Sequence, residues 1–223
     1  MANNSVQARN TNIISTLFPE DVTGIILPID NYQSHLNPDE YEMVLSASNK
    51  RKFEFSTGRW CAKQAFASEG IHNISILSGG NREPIWPDGF TGSISHCKDQ
   101  CGAVITKTTC TKSIGFDVEN TKELKNDIAK AICTDEEKDW LCQQSSYVYD
   151  TLVLTIFSLK ESVYKCVYQH QHVKLGFKDC SIIADPANNS ANIVFANATI
   201  DPGINLRFTT TENHIYSGAF YPR

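Results

Sequence analysis

The stretch FTGSISHCKDQCGAVITKTTCTKSIGFDVE (residues 90–119) decides the fold. Its segments 90–97, 101–107 and 113–119 carry β-branched and aromatic residues between short polar stretches, which predicts three strands. Because these strands follow one another without a helix between them, the pattern favours an α+β architecture over alternating parallel βαβ units.

Helical patterns lie on both sides of this strand-rich region. Residues 51–69 carry apolar residues at helical spacing and end at a glycine, and residues 150–168 predict a longer apolar helix. Shorter helices are predicted to begin after the capping residues Asn37 and Thr134. Further strands are predicted at 22–29, 178–185, 191–197, 204–210 and 214–221. Both halves therefore mix strands and helices, and we place a seam between two lobes near Lys112.

The composition limits the partners and the compartment. With 20 basic and 25 acidic residues, a net charge of −5 and a pI of about 5.7, the chain is not expected to bind nucleic acid broadly. Its N-terminal segment lacks the pattern of a secretory signal, and no stretch reaches membrane-spanning length, so we expect a cytoplasmic protein without integral membrane association. The eight cysteines form no CxxC pair, which favours free thiols. His96, Cys97 and Cys101 lack a second ligand pair at zinc spacing, so ordinary cysteines are expected there too.

A local basic cluster stands out in this acidic chain. Five of the 20 basic residues fall within fourteen positions, against the single acid Glu54. They are Lys50, Arg51, Lys52, Arg59 and Lys63. Such a cluster fits either a solvated helix face or a local anion site.

Two acidic residues share a face of the third predicted strand. Asp117 and Glu119 are two residues apart, so both carboxylates project from the same side. Two adjacent like charges favour a bound cation, and magnesium takes oxygen ligands together with water and substrate phosphate. The same spacing also fits a solvated sheet face.

The segment FSLKESVYK (157–165) brings an acid and bases together on the long helix. Lys160, Glu161 and Lys165 lie close, and the last two are four residues apart on one face. The segment also fits two structural alternatives: a capping box formed by Ser158 and Glu161, and an ordinary ion pair between Glu161 and Lys165.

Ser95 and His96 close a predicted strand just after a proline-rich loop that contains Arg82. Histidine and arginine suit phosphate oxygens, and serine can donate a hydrogen bond. A Ser-His nucleophile pair is not expected, because adjacent residues on a strand point to opposite faces.

Four motifs, taken in order, resemble the 4′-phosphopantetheinyl transferase superfamily, and are most similar to its surfactin-type and enterobactin synthase component D branch. The motifs are RKFEFSTGRWCAKQAF (51–66), REPIWPDGFTGSISH (82–96), IGFDVE (114–119) and FSLKESVYK (157–165). The resemblance covers about residues 50–166. Relatives of the surfactin type often have lysine where Arg82 stands, which keeps the charge and changes its geometry.

The resemblance implies a fold of two pseudo-symmetric α+β lobes, here residues 1–112 and 113–223. Each lobe would be a small, mainly antiparallel sheet with packed helices, and the two would act as one functional unit with the ligand cleft between them. It further implies a monomer that moves phosphopantetheine from coenzyme A to a serine of a peptidyl, aryl or acyl carrier protein and releases 3′,5′-ADP. Siderophore or other secondary-metabolite synthesis is the implied setting.

The resemblance also assigns roles to individual residues. The implied magnesium ligands are Asp117, Glu119 and Glu161. The implied contacts to the 3′-phosphate and adenine end of coenzyme A are Arg51, Arg59 and Arg82. The implied contacts to the phosphates are His96 and Lys165, with Ser95 donating nearby. Together with Asp117, the residues Glu161, Lys165 and His96 form the implied catalytic set, and either Glu161 or a metal-bound water would accept the serine proton.

Two other functions remain compatible with these residues. A magnesium-dependent phosphohydrolase could use the same acids and bases to activate water, and a non-catalytic module could bind coenzyme A without turnover. The combination of motifs disfavours the first reading. The intact set Asp117, Glu119, Glu161 and Lys165 disfavours the second.

Overall fold

The computed structural model describes residues 12–123 and 128–223, which contain two antiparallel sheets. The strands are β1 (Thr23–Pro28), β2 (Phe90–His96), β3 (Gln100–Lys107), β4 (Thr111–Asn120), β5 (Cys180–Asp185), β6 (Ser190–Phe195), β7 (Asn205–Thr210) and β8 (His214–Pro222). The first sheet has the order β1-β3-β2, and the second has the order β4-β8-β7-β6-β5. Every strand pair is antiparallel, so the α+β prediction is confirmed.

Two long helices dominate the helical layer. The helices are α1 (residues 12–17), α2 (Pro38–Glu42), α3 (Asn49–Ser68), α4 (Ile128–Ile132), α5 (Asp135–Cys142) and α6 (Ser146–Gln171). Both α3 and α6 begin earlier than the apolar pattern predicted, because serine caps stand before them: the hydroxyl of Ser48 accepts the N–H of Arg51, and that of Ser145 accepts the N–H of Tyr147. Of the helices in the described residues, none has both the length and the apolar character that crossing a membrane requires.

Each long helix buries an apolar face against one sheet. Helix α3 packs Ala62, Ala65 and Phe66 against the first sheet, where all three side chains are fully buried. Helix α6 packs Leu159 and Val163 against the second sheet in the same way. Burying a side chain such as Phe66 or Leu159 stabilises the fold by roughly 1.5–3 kcal/mol. Each sheet is therefore held by one principal helix.

The two sheets meet where β2 lies beside β4. The hydroxyl of Ser93 accepts the N–H of Phe116 at 3.0 Å. Near the end of α6, Gln169 Nε2 donates to the carbonyl oxygens of Gly92 at 2.8 Å and of Ile114 at 3.1 Å. Side chains thus join one strand from each sheet and tie both strands to α6.

Helix α6 approaches β4 most closely at Gly115. A Cβ atom at this position would lie only 1.9 Å from the carbonyl oxygen of Ser162. Backbone atoms cannot move aside as the end of a flexible side chain can, so only glycine permits this contact. The glycine of the GFDVE motif therefore sets the distance between α6 and β4.

We predict that Gly115→Ala lowers the free energy of unfolding by at least about 3 kcal/mol or prevents folding, because the added methyl group overlaps the backbone of α6. Urea denaturation measures the change. Gly80→Ala is the matched control, since no heavy atom lies within 4 Å of a Cβ at that position. Equal stabilities of the two variants would contradict the proposed contact.

Candidate active site

Asp117 is a buried carboxylate at the meeting point of the two sheets. Its side chain lies on β4 with 3% of the residue exposed. Oδ1 accepts hydrogen bonds from Ser95 Oγ at 2.7 Å and from Lys165 Nζ at 2.8 Å, and Oδ2 accepts one from Ser158 Oγ at 2.9 Å. Donors of this kind compensate a charge that has been removed from water.

A chain of serine hydroxyls supports Asp117 from behind. Ser217 Oγ lies 2.8 Å from Ser158 Oγ and 2.7 Å from Ser162 Oγ. A hydroxyl group can donate only one hydrogen bond, and Ser158 Oγ donates its hydrogen bond to Asp117. Ser217 Oγ is therefore the donor in its hydrogen bond with Ser158 Oγ. Since Ser217 lies on β8 and the other two lie on α6, the chain fixes the carboxylate relative to both elements.

Lys165 reaches from α6 toward β2 and β4. Its Nζ donates to Asp117, to Ser95 Oγ at 2.9 Å and to the carbonyl oxygen of Phe116 at 3.0 Å. Both structural alternatives for the FSLKESVYK segment are therefore wrong. Lys165 pairs with Asp117 rather than with Glu161, and Ser158 lies in the middle of α6, where it cannot cap the helix.

Glu161 lies one helical turn before Lys165, and the charges of Lys165 and Asp117 both act on its carboxylate. Its half-buried side chain lines a cavity of about 360 Å³ that also contains Lys174 and Phe177. Burial raises the pKa of Glu161, the charge of Lys165 opposes this shift, and the charge of Asp117 reinforces it. The fold thus brings Asp117, Glu161 and Lys165 into one electrostatic group.

His96 points to the opposite side of β2 from Ser95. Its Nε2 lies 3.3 Å from Arg51 Nη1 and 3.7 Å from Glu54 Oε2. Burial lowers the pKa of His96, Glu54 opposes this, and the positive charges of Arg51 and Lys165 lower it further. The expectation that Ser95 and His96 do not form a nucleophile pair is confirmed, because Ser95 bonds to Asp117 instead.

The three arginines singled out from the motifs line one cavity of about 460 Å³. Arg59, with 5% of the residue exposed, donates through Nε to the carbonyl oxygen of Ile76 at 2.7 Å and through Nη2 to Ser78 Oγ at 3.0 Å. Burial lowers the pKa of Arg59 to about 10, so the guanidinium stays charged at neutral pH. Arg51 and Arg82 are more exposed. The structure therefore gathers these three cations.

The basic cluster on α3 divides into three environments. Arg51 and Arg59 face the cavity, whereas Lys50 has an 80% exposed side chain and fits a solvated helix face. Lys63 turns inward, and its Nζ lies 2.6 Å from Glu40 Oε2, which is fully buried. Only Arg51 and Arg59 of the five residues in the sequence cluster therefore line this cavity.

Arg82 connects the arginine cavity with the surroundings of Lys165. It also lines a second cavity of about 200 Å³, together with Lys165 and Tyr164. Its backbone has φ of +67°, in the left-handed region that non-glycine residues rarely adopt. Two basic regions thus share Arg82 at their border.

Glu119 is half-buried two residues beyond Asp117 on β4. The ligand atoms of Asp117, Glu119 and Glu161 do not all lie within 4.8 Å of one another. The ammonium group of Lys165 stands at Oδ1 of Asp117 and compensates its charge. The structure brings Asp117 and Glu161 near the same lysine without gathering all three carboxylates into one tight trio.

Sequence reasoning identified Lys165 as a candidate but missed the contributions of Ser158, Ser162 and Gln169 to the same surface of α6. Ser158, Ser162, Lys165 and Gln169 follow one another at intervals of three or four residues, which forms a polar stripe on an otherwise apolar helix. All four bond to β2, β4 or β8. This polar stripe is visible in the sequence and could have indicated that this face of the helix contacts the site. By contrast, Lys160 of the same segment points away from the site and bonds to the buried carboxylate of Glu137 at 2.8 Å.

Comparison with known proteins identifies the family of this chain. The 4′-phosphopantetheinyl transferase N-terminal domain model matches residues 39–106, and the 4′-phosphopantetheinyl transferase superfamily model matches residues 113–214. Enterobactin synthase component D of Escherichia coli K12 is 30% identical over 146 residues, which cover 65% of this chain and 67% of that protein. The chain belongs to the 4′-phosphopantetheinyl transferase superfamily.

Two further matches cover smaller shares of the similar proteins. The 4′-phosphopantetheinyl transferase Svp of Streptomyces mobaraensis is 32% identical over 161 residues, which cover 70% of this chain. That match spans 64% of Svp, less than two thirds of its length. The crystal structure of Thermotoga maritima holo-(acyl-carrier-protein) synthase has a TM-score of 0.40 and 16% identity, and the match covers 49% of this chain and 63% of that one.

We predict that Glu161→Gln stabilises the protein at pH 7 in buffer containing a chelator. Burial raises the pKa of Glu161 above its ordinary value of 4.5, so the folded protein holds the proton more tightly than the unfolded chain does. The group favours folding below pH 4.5, and this contribution is lost as pH rises through the folded pKa. Glutamine mimics the protonated form, so its advantage should shrink toward about pH 4.

Urea denaturation at the two pH values measures the difference between Glu161→Gln and wild type. Glu42→Gln, at an exposed position, is the control and should show no such dependence. A Glu161→Gln protein that is less stable than wild type at pH 7 would show that the carboxylate is better compensated than its surroundings indicate.

Proposed function

We propose that this protein transfers 4′-phosphopantetheine from coenzyme A to a serine of an apo carrier protein and releases 3′,5′-ADP. The observation that carries the proposal is the arginine cavity next to the buried pair of Asp117 and Lys165, with Arg82 lining both regions. A polyanionic donor substrate with two separated phosphate groups fits two basic regions with a shared border. The lobes 1–112 and 113–223 would work as one unit, because β2 and β4 each supply part of the site.

The cations would bind different parts of coenzyme A. Arg51, Arg59 and Arg82 would hold the 3′-phosphate and adenine end, since guanidinium groups match phosphate geometry. Lys165 would contact the pyrophosphate, with His96 and Ser95 nearby. Because Lys165 is already fixed by Asp117 and by the carbonyl oxygen of Phe116, little reorganisation is needed when charge develops on the phosphate oxygens.

Asp117, Glu119 and Glu161 have the donor chemistry of a magnesium site. Their carboxylate oxygens are the ligands this ion prefers, and burial, reinforced by the charge of Asp117, raises the pKa of Glu161, so a bound cation would stabilise its carboxylate. When bound, magnesium would neutralise charge on the pyrophosphate. Lys165 would share Asp117 with the ion.

Glu161 would also accept the proton of the carrier serine. Its raised pKa makes it a better base than an ordinary carboxylate, and its two oxygens allow one to remain free for the proton. Side chains of this protein would thus bind and orient coenzyme A and deprotonate the carrier serine.

The biological setting is proposed from the relatives. Similarity to proteins named enterobactin synthase component D supports a peptidyl, aryl or acyl carrier of siderophore or other secondary-metabolite synthesis as the acceptor. We further propose that the protein acts as a monomer in the cytoplasm.

The test of the function is the mass of an apo peptidyl carrier protein after incubation with this protein, coenzyme A and magnesium. We expect the mass of each carrier to increase by one phosphopantetheine group, and one molecule of 3′,5′-ADP to be released for each carrier modified. A phosphohydrolase would release 3′,5′-ADP without the carrier, and a binding module would leave the carrier mass unchanged, so either result would overturn the proposal.

We predict that Asp117→Asn lowers the rate of carrier modification about 100-fold or more, because it removes the charge that Lys165 and the proposed ion share. Asparagine keeps the volume and part of the hydrogen bonding, so circular dichroism should show a folded protein. Asp88→Asn, at an exposed loop position, is the control and should keep the wild-type rate. A folded Asp117→Asn variant with a near-normal rate would contradict the assigned role.

We predict that Arg51→Ala raises the KM for coenzyme A about tenfold, a loss of about 1.4 kcal/mol, with little change in kcat. Lys50→Ala is the matched control, since Lys50 lies outside the cavity. Repeating the assay with 3′-dephospho-coenzyme A tests the contact itself: the donor already lacks the phosphate, so Arg51→Ala should no longer raise KM. An equal penalty with both donors would place Arg51 away from the 3′-phosphate.

A further inference from the structure

A cluster of metal-ligating side chains lies outside the site described above. Cys97, Asp99 and His214 offer one ligand atom each, and these atoms all lie within 4.8 Å of one another. Asp99 Oδ1 is 3.1 Å from His214 Nε2 and 3.4 Å from Cys97 Sγ. Across residues 12–123 and 128–223, no second trio of His, Cys, Asp or Glu side chains gathers its ligand atoms this closely.

The three ligands come from two separate parts of the fold. Cys97 and Asp99 belong to the tight turn between β2 and β3, which is closed by a hydrogen bond from Cys97 N to the carbonyl oxygen of Gln100 at 2.9 Å. His214 begins β8, and its N–H donates to Thr211 Oγ1 at 3.1 Å. The backbone thus holds both parts in place independently of the contact between the side chains.

Sequence spacing could not reveal this trio. Spacing along the sequence groups Cys97 with His96 and Cys101, but the side chains of these two residues do not join the cluster. His96 contacts Arg51, and Cys101 is fully buried in the core. The third ligand, His214, follows Asp99 by 115 residues and is brought close only by the packing of the two sheets.

The donor set suits a borderline-soft divalent ion such as zinc. One thiolate sulfur, one imidazole nitrogen and one carboxylate oxygen are all common zinc ligands. Bond lengths of about 2.0–2.3 Å in a tetrahedral zinc site place nitrogen and oxygen ligands about 3.3 Å apart and sulfur and oxygen ligands about 3.5 Å apart. The separations of 3.1 and 3.4 Å are within about 0.2 Å of these values.

The cluster is open to solvent on one side. His214 lines a cavity of about 390 Å³, together with Gln100 and Tyr216, and the side chain of Asp99 is 49% exposed. An ion therefore has an entry path, and a water molecule has room to serve as the fourth ligand. Cys97 and His214 are themselves buried, which limits competing ligands.

We propose that Cys97, Asp99 and His214 form a second divalent-metal site, specific for zinc-like ions and separate from the proposed magnesium site. On binding, the Cys97 sulfur bonds to the metal and its proton passes to solvent. The ion would clamp the turn between β2 and β3 to the start of β8. Asn120, at the end of β4, donates to Asp99 Oδ1 at 2.9 Å and extends the clamp to the strand that carries Asp117.

The alternative is a hydrogen-bonded cluster without a metal role. Asp99 would then accept from Cys97 and Asn120 through Oδ1, and from His214 Nε2, which lies 3.1 Å from each of its oxygens, through Oδ2. A thiol is a weak donor, so the Cys97 contact contributes little in that arrangement. The two readings differ in whether the folded protein binds zinc stoichiometrically.

The test is a titration of the chelator-treated full chain with zinc chloride in the absence of coenzyme A, followed by isothermal titration calorimetry. We expect saturation at one zinc per chain with micromolar or tighter affinity, and a rise in melting temperature on binding. Cobalt in place of zinc should give a thiolate-to-cobalt charge-transfer absorption. Absence of saturable binding would overturn the proposal.

Variants separate this site from the other thiols and histidines. Cys97→Ser and His214→Gln should each weaken zinc binding at least tenfold, and Cys97→Ser should abolish the cobalt charge-transfer absorption. Cys142→Ser and His72→Gln, at exposed positions, are the matched controls and should bind as wild type. Circular dichroism shows whether each variant is folded. Because Cys97 and His214 lie on different elements, one folded variant is enough to test the site. Wild-type affinity in that folded variant would overturn the proposal.

Discussion

The close approach of α6 to β4 at Gly115 is the constraint on which the rest of the structure depends. Because no side chain separates the two backbones there, Ser158 and Lys165, on either side of Ser162, both reach the carboxylate of Asp117. A helix displaced outward by one methyl group would lose those hydrogen bonds. The glycine and the aspartate of the GFDVE motif therefore act together. Gly115 sets the distance between α6 and β4, and the hydrogen bonds to Asp117 require that distance.

The buried charge of Asp117 explains why so many polar groups converge on this contact. The hydrogen bonds described use two acceptor positions of Oδ1 and one of Oδ2, and a carboxylate oxygen has two lone pairs. Oδ1 is thus fully engaged by Ser95 and Lys165, while Oδ2 keeps capacity for one more partner. A cation that joined the site would meet a carboxylate whose orientation is already fixed by three donors.

The sequence predicted the eight described strands and the helices α2, α3, α5 and α6, because the period of apolar residues and the capping residues are local signals, but it missed the short helices α1 and α4. It also proposed Asp117, Glu161, Lys165 and the three arginines as candidate site residues, because their motifs resemble those of a known family. What it could not supply was the partner of each charge. Lys160 belongs to the same segment as Lys165, yet it bonds to Glu137, 23 residues away, because only the packing of α5 against α6 decides that pairing.

These pairings explain how an acidic chain with a net charge of −5 keeps a positive cavity. Lys63 and Lys160 are neutralised by buried glutamates, whereas the described hydrogen bonds of Arg59 go to uncharged carbonyl and hydroxyl oxygens. Such oxygens orient the guanidinium without cancelling its charge. Arg59 is also screened little by water, because it is nearly buried, so its field extends into the cavity that Arg51 and Arg82 share. Arg51 does have an acidic partner, since its Nη1 lies 3.6 Å from Glu54 Oε2. The positive charge of the cavity therefore depends on how each cation is paired, and above all on Arg59, and the overall composition does not reveal it.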